Sequence, residues 1–274
     1  MKVSEIPISL YSSVKLLLTP VKKIQNSQIK QIPVIVSLTT IPSRLRTVNI
    51  TIRSLLAQNV LPEKIVLWLH DDYKEKIPPA LKKICGSIFE IRFSPYTFSH
   101  RKLIHSLEAF PDSIIITCDD DLIYHKKSLE LLYLEHLKKP NAVIGHRCRQ
   151  ISYNSNGSVK PYLKWPFEHI LEKDQRLLMP VGAFCVLYPP NVLHEKVQDI
   201  ALFNKLSPKS DDLWFKTMAL LNNTLSIESK NKPPKPIPII GTQFKSLKQI
   251  NNKQDYKRLQ WEQIIAHFNL KFNT

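Results

Sequence analysis

Four short apolar runs, PVIVSL (33–38), KIVLWLH (64–70), FEIRF (89–93) and SIIITC (113–118), constrain the fold more than any other feature of the chain. Each is too short for a buried helix, is rich in β-branched residues and is bounded by turn signals, so each reads as a buried strand. Between them the periodicity becomes helical. In 43–58, Val48, Ile52, Leu55 and Leu56 share one face, and 79–85, 100–109 and 126–138 read as further helices. Strand alternating with helix predicts an α/β fold, a mainly parallel central sheet with helices on both faces and ligands at the carboxyl ends of its strands. At 274 residues and 43% hydrophobic, the chain has enough apolar material for one large core, so a single domain is expected.

After residue 121 the alternation breaks. AVIGH (142–146) is a candidate strand, RQISYNSNGSVKPYLKW reads as a hairpin turning at Asn156-Gly157, and VGAFCVLYPP (181–190) reads as another buried strand. SDDLWFKTMALLNN (210–223) reads as a helix with Ser210 as N-cap and Asp211 and Asp212 in its first turn. A Pro-rich connector, NKPPKPIPII, then leads to an amphipathic helix over 254–268 with Trp261, Ile264, Ile265 and Phe268 on one side. The predicted organisation is a basic extension over 1–30, the main α/β domain over 31–228, and the connector with its helix over 229–274.

Several classes are argued against. No run approaches the roughly 18–20 apolar residues that cross a bilayer, and the opening residues lack a secretory pattern, so a cytoplasmic protein is expected. Cys85, Cys118, Cys148 and Cys185 are widely spaced without a CxxC pair, which points to reduced core thiols rather than zinc ligands or disulfides. The Asn-X-Ser/Thr sites at Asn49, Asn156 and Asn222 then carry no weight. The net charge of +16 is concentrated at the ends. Residues 1–30 hold five Lys against one Glu, and 230–274 hold eight Lys and one Arg against Asp255 and Glu262. A near-balanced middle with basic ends suits peripheral contact with an anionic membrane or acidic substrate better than a nucleic-acid grip, so no nucleic-acid partner is expected.

Three consecutive aspartates, Asp119, Asp120 and Asp121, leave the fourth strand. Carboxylates crowded at a strand end repel unless something positive lies among them, and hard oxygens there suit Mg²⁺ or Mn²⁺ bridging to phosphates. Continued strand alternation would send Asp119 and Asp121 to the same side. The spacing itself does not choose among sugar-nucleotide transferases and phosphotransferases.

The segments VIVSLTTIPSRLRTVNITIRSLLAQNVLPEKIVLWL, RKLIHSLEAFPDSIIITCDDDLIY, VGAFCVLYPP and SDDLWFKTMALL, in that order, resemble the GT-A (Rossmann-like) fold glycosyltransferases, closest to bacterial family-two-like enzymes of surface polysaccharide or lipopolysaccharide synthesis. The resemblance spans about residues 31–225. It implies a nucleotide-sugar donor, UDP-linked in the first instance, a saccharide or glycolipid acceptor, and Mn²⁺ or Mg²⁺ as cofactor. It makes Asp121 the direct metal ligand, with Asp119 or Asp120 on a metal-bound water or the ribose. Thr39 and Thr40 would hold the donor nucleotide, Arg44 or Arg46 its phosphates, Asp71 or Asp72 the base or ribose, and Lys102 the diphosphate. In the same resemblance Asp212 is the catalytic base of an inverting transfer, with Asp211 in reserve. Gly182 lies beside the donor sugar, Trp165, Tyr162 or Phe167 stacks on an acceptor, and Arg147 approaches phosphates or acceptor. The chain lacks a QxxRW motif downstream of Trp214 and a membrane-embedded second domain, which separates it from processive synthases. A nucleotidyltransferase or phosphotransferase using the same aspartates is the alternative enzyme class. A basic nucleic-acid binder is the alternative outside enzymes.

Overall fold

The computed structural model describes residues 2–24, 29–167, 174–242 and 255–272. Parts of the two expected basic ends, 25–28 and 243–254, lie outside the described residues. Through its first half the chain runs α1 (Ile6–Leu18), α2 (Val21–Ile24), β1 (Gln31–Thr39), α3 (Val48–Leu56), β2 (Leu61–His70), α4 (Pro79–Lys82), β3 (Phe89–Ser94), α5 (Arg101–Ala109) and β4 (Ile114–Thr117). It continues through β5 (Leu122–Ile123), α6 (Ser128–His136), β6 (Val143–Gly145), β7 (Cys148–Gln150), β8 (Leu178–Pro180) and β9 (Val186–Tyr188). It ends with α7 (Ile200–Leu206), α8 (Asp211–Leu221), β10 (Ser226–Glu228), β11 (Ile237–Pro238) and α9 (Tyr256–His267).

Seven strands form one sheet in the order β10-β6-β9-β4-β1-β2-β3. β1 pairs parallel with β2 and β4, β2 with β3, and β6 with β10, whereas β9 is antiparallel to β4 and β6. The architecture is therefore an α/β, Rossmann-like single domain with a mainly parallel sheet flanked by helices, as the alternation of runs predicts. The period of two explains its two cores. Val34, Val36 and Leu38 of β1 pack with Leu55, Leu56 and Leu67, whereas Ile35 faces the layer of Leu103, Trp214, Phe215 and Trp261.

A buried polar chain pins α5 to the sheet. Trp68 Nε1 donates to Ser106 Oγ at 2.9 Å, Ser106 Oγ contacts Ser37 Oγ at 2.7 Å, and Ser37 Oγ donates to the Lys102 carbonyl. Each of these groups would be costly if left unpaired in the core, so the chain fixes the rotation of α5 and the place from which Lys102 projects.

Several expectations change. The 181–190 segment is strand only over β9; Gly182–Phe184 is a tight 3₁₀ turn, closed by Cys185 at φ 68°. Strand geometry ends at Thr117, so alternation does not reach the aspartates. Ser210 occupies the N-cap position of α8 without a capping side-chain bond. The hairpin survives as one antiparallel bridge, Tyr153 to Val159, with Gly157 at φ 80° making its turn. The Pro-rich connector contributes β11, which pairs antiparallel with β5 directly after the triplet. Cys118, Cys148 and Cys185 are free and buried, but Cys85 is free and exposed. Trp261 is fully buried, and its Nε1 donates to Tyr153 Oη at 2.9 Å, so α9 closes the domain rather than offering its Trp face outward.

Candidate active site

The carboxyl ends of β1 and β4 lie side by side, with Ser37 in register with Thr117, and the chain turns sharply after each. The backbone of the triplet is held from three directions. Thr51 Oγ1 of α3 donates to the Asp120 carbonyl at 2.8 Å, Asp119 N donates to Tyr124 Oη at 2.8 Å, and Ile239 N donates to the Asp121 carbonyl at 2.9 Å. Held this way, the three side chains diverge. Asp119 reaches Lys102 Nζ at 2.8 Å, Asp120 reaches Arg44 Nη1 at 2.7 Å and is the acceptor for Thr40 Oγ1, and Asp121 reaches Arg44 Nη2 at 3.0 Å.

The positive groups among the crowded acids are thus Arg44 and Lys102. Burial by itself would lower the pKa of each, but the surrounding aspartates outweigh it and hold both above their usual values. The oxygens are hard donors suited to Mn²⁺ or Mg²⁺, yet among the described residues no group of three acidic, His or Cys side chains is arranged to hold a metal. Asp121, the expected direct ligand, and Asp119, expected at the metal beside it, are drawn to different cations, Arg44 and Lys102. The residues present therefore do not form a ready-made metal cage.

A second charged group meets the first at Lys102. Its Nζ also lies 2.8 Å from Asp211 Oδ2 at the start of α8, while Asp212 Oδ2 lies 3.0 Å from Lys257 Nζ of α9. Asp212 Oδ1 accepts the Gly182 N–H at 3.0 Å. The two acids differ in proton affinity because their surroundings differ. At Asp211, burial opposes the charge, but Lys102 and then His100 outweigh it and the pKa falls. At Asp212, burial dominates, Asp211 adds to it, and Lys257 only partly offsets both, so the pKa rises. Asp212 is the better proton acceptor of the pair.

Gly182 sits at the junction. A Cβ there would lie 2.8 Å from Asp212 Oδ1, 3.4 Å from Lys102 Nζ and 3.8 Å from Asp119 Oδ1. Only a hydrogen at that position leaves the Asp212 carboxylate its present place; Lys102 and Asp119 would be in ordinary contact with the added carbon.

Beside this cluster, the loops after β1 and β2 enclose a half-open cleft of about 180 Å³, lined by Thr40, Pro42, Leu45, His70, Asp72, Tyr73 and Arg101 among others. A larger groove of about 370 Å³ lies beyond Trp68, Phe93, Tyr96 and His105, but it contains none of the clustered carboxylates. The smaller cleft is the one continuous with the charged site, through Thr40. Arg101 fastens its wall by donating to the Thr40 carbonyl at 2.7 Å, to the Tyr96 carbonyl at 2.5 Å and to Thr39 Oγ1; burial pushes its pKa down to about 10, with Asp120 opposing the shift.

Of the residues expected from the sequence, Thr40, Arg44, Lys102, Asp119, Asp120, Asp121, Gly182, Asp211 and Asp212 converge. Thr39 is adjacent, donating to the Trp68 carbonyl at 3.0 Å. Asp71 is turned to Lys74 at 2.9 Å, and its neighbour Asp72 lines the cleft instead. Arg147 lies 5.5 Å over the Phe184 ring, beside the Gly182 turn. Trp165 is corrected outright: it is fully buried and donates to the Lys160 carbonyl at 2.8 Å, so it is core rather than a sugar platform. Sequence reasoning missed Arg101 and Lys257. Arg101 adjoins Lys102 in RKLIHSL and could have been weighed with it, whereas Lys257 carries no local signal, because its partner is 45 positions away.

No protein-family model matches the chain, and no curated protein matches it significantly. Among solved structures it aligns with a 4-diphosphocytidyl-2C-methyl-D-erythritol synthase from Anaerococcus prevotii, at 12% identity and a TM-score of 0.48 over 87% of this chain and 99% of that one. It also aligns with a CMP:2-keto-3-deoxy-manno-octonic acid synthetase complexed with CTP, at 13% identity and a TM-score of 0.39 over 84% and 99% of the respective chains. A third is HddC from Yersinia pseudotuberculosis, at 10% identity and 0.35 over 62% and 79%. The first two carry the names of a synthase and a synthetase and not of a hexosyltransferase, and the hexosyltransferase assignment expected from the sequence is corrected and not carried forward.

Proposed function

We propose that the chain is a nucleotidyltransferase that binds a nucleoside triphosphate across the Thr40 cleft and the charged site. The observation that carries this reading is the convergence of Arg44 and Lys102 on the Asp119–Asp121 run at the ends of β1 and β4, with Arg101 bonded to Thr40 beside it. A triphosphate needs several fixed cations along its length, and a bidentate guanidinium and a buried ammonium suit it. The half-enclosed cleft beside Thr40 takes the base and ribose, with Asp72 and His70 as its polar groups.

Asp212 then serves as the proton acceptor. Its raised proton affinity lets it take a proton from the acceptor hydroxyl as that oxygen attacks the α-phosphorus. The new O–P bond forms as the bond between the α-phosphorus and its bridging oxygen breaks, and pyrophosphate leaves against Arg44 and Lys102. Lys257 and the Gly182 N–H keep the Asp212 carboxylate oriented. Mn²⁺ or Mg²⁺, where used, would arrive with the triphosphate, because the side chains of the described residues do not form a cage for it.

The test is pyrophosphate release from each of the four ribonucleoside triphosphates, with Mg²⁺, in the presence of sugars and polyols that offer a free hydroxyl as acceptors. Release from one triphosphate that depends on an acceptor, and that falls by about 10²-fold or more in Asp212→Asn while nucleotide binding is retained, supports the reading. Binding of no triphosphate, or turnover indifferent to Asp212, sinks it.

A further inference from the structure

Helix α1 is mounted inside out. Its serines face the protein: Ser9 is buried with Oγ donating to the Pro238 carbonyl at 2.7 Å, and Ser13 is buried beside it. Leu16 packs on the small cluster of Ile50, Ile123 and Ile239, and Arg53 Nη1 of α3 donates to the carbonyls of Leu16 and Thr19 at 3.0 and 2.8 Å. At about 100° per residue, Ile6, Leu17, Leu10, Val14, Leu18 and Tyr11 then fall in succession over an arc of roughly 140° on the opposite side. All six are exposed, from 40% at Ile6 to 78% at Leu18. An apolar stripe this continuous on a helix about 20 Å long is not the scattered surface hydrophobicity of ordinary proteins.

Charge identifies what covers it. Lys2 and Lys15 are exposed on this helical segment, Lys22 and Lys23 follow in α2, and Lys235 is exposed just before β11, the strand that supports α1. Glu5 is the only acidic residue in the first 30 positions. Apolar side chains in a broad stripe, flanked by lysines with Glu5 the single acid nearby in sequence, fit the boundary between acyl chains and anionic headgroups. Among the described residues no helix is long and apolar enough to cross a membrane, and α9, the other terminal helix with an apolar face, has its Trp261 in the core.

We infer that α1 is an interfacial helix that docks the protein onto anionic phospholipid, with the Ile6–Leu18 stripe inserted at headgroup depth and the lysines against the headgroups. The helix is bonded to Pro238 of β11, β11 pairs with β5, and β5 follows Asp121 directly. Docking therefore fixes the orientation of the charged site relative to the lipid surface and favours an acceptor that resides there. The inference is independent of the reaction proposed above, because lipid binding needs no nucleotide.

The test is vesicle flotation of the full chain, with phosphatidylcholine vesicles and with vesicles in which a third of the lipid is phosphatidylglycerol. The wild type is expected to float with the anionic vesicles only and to lose binding in high salt. Leu10→Ser with Leu17→Ser, and separately Lys15→Glu with Lys22→Glu, are each expected to lower the lipid partition at least tenfold. These side chains are exposed, so melting temperatures should stay near the wild-type value. Absence of wild-type binding to anionic vesicles overturns the inference, as does equal binding by the leucine variant. A concentration-dependent dimer that the leucine variant dissolves, without flotation of the wild type, overturns it in favour of a second copy of the chain.

Discussion

Gly182 has the narrowest tolerance in the site. It sits where Asp212, Lys102 and Asp119 approach one another, and the nearest of them would be 2.8 Å from an added methyl group. Gly182→Ala must push the Asp212 carboxylate away from its place on the Gly182 N–H. We predict a modest loss of stability, about 1–3 kcal/mol, with at least a tenfold loss of pyrophosphate release; denaturant melts together with steady-state rates check both. A wild-type rate in the alanine variant would show that the junction is not where chemistry occurs. The residue scale is also where the sequence was most uneven as a guide. Three aspartates after IIITC are a visible anomaly, and the acids of SDDLW are visible beside them. The cation that partly offsets burial at Asp212 is not, because Lys257 meets it only after the chain has folded.

Among the elements, α5 carries the most consequence for its length. It delivers Lys102 and Arg101 from adjacent positions, and its orientation rests on the Trp68, Ser106 and Ser37 chain. Ser106→Ala removes the acceptor of a buried indole N–H and the partner of a buried hydroxyl, so the expected cost is about 1–3 kcal/mol in equilibrium unfolding. An unchanged midpoint would mean that α5 is held by packing alone. β1, β2 and β4 were legible because they are buried and read as near-continuous apolar runs, whereas β3, at the sheet edge, is half-buried and alternates apolar with charged residues in FEIRF. β9 was overextended because Gly182–Phe184 is apolar yet turns, at the φ 68° of Cys185. Helix α1 was not legible as a packed element, because its apolar residues point outward and its serines inward, the reverse of the usual pattern.

For the whole molecule, two buried histidines set the response to mild acid. His100 stacks on Phe203 at 4.2 Å, His146 contacts the Ser128 carbonyl at 2.8 Å, and burial pushes each pKa down to about 4. An unfolded histidine titrates near 6.5, so between these values the unfolded chain binds more protons and stability rises with pH. Acidification from pH 7 to about 4.5 should therefore cost on the order of 2–3 kcal/mol per histidine, before the carboxylates titrate. Chemical denaturation across that range checks it, and a flat profile would refute the buried neutral state of both rings. The parallel sheet and its ligand-facing edge were legible from alternation, whereas the reaction was not: acids at a strand end serve phosphoryl, nucleotidyl and glycosyl transfer alike. The central claim is that Arg44 and its neighbours bind nucleotide phosphates. Its most direct test is calorimetric titration of the four ribonucleoside triphosphates, with and without Mg²⁺, into the wild type and Arg44→Ala. We predict that one triphosphate binds the wild type and binds Arg44→Ala at least tenfold more weakly, as loss of a charge-assisted bidentate contact requires. Equal affinity in the two proteins, or binding of RNA or DNA in place of any mononucleotide, would contradict it.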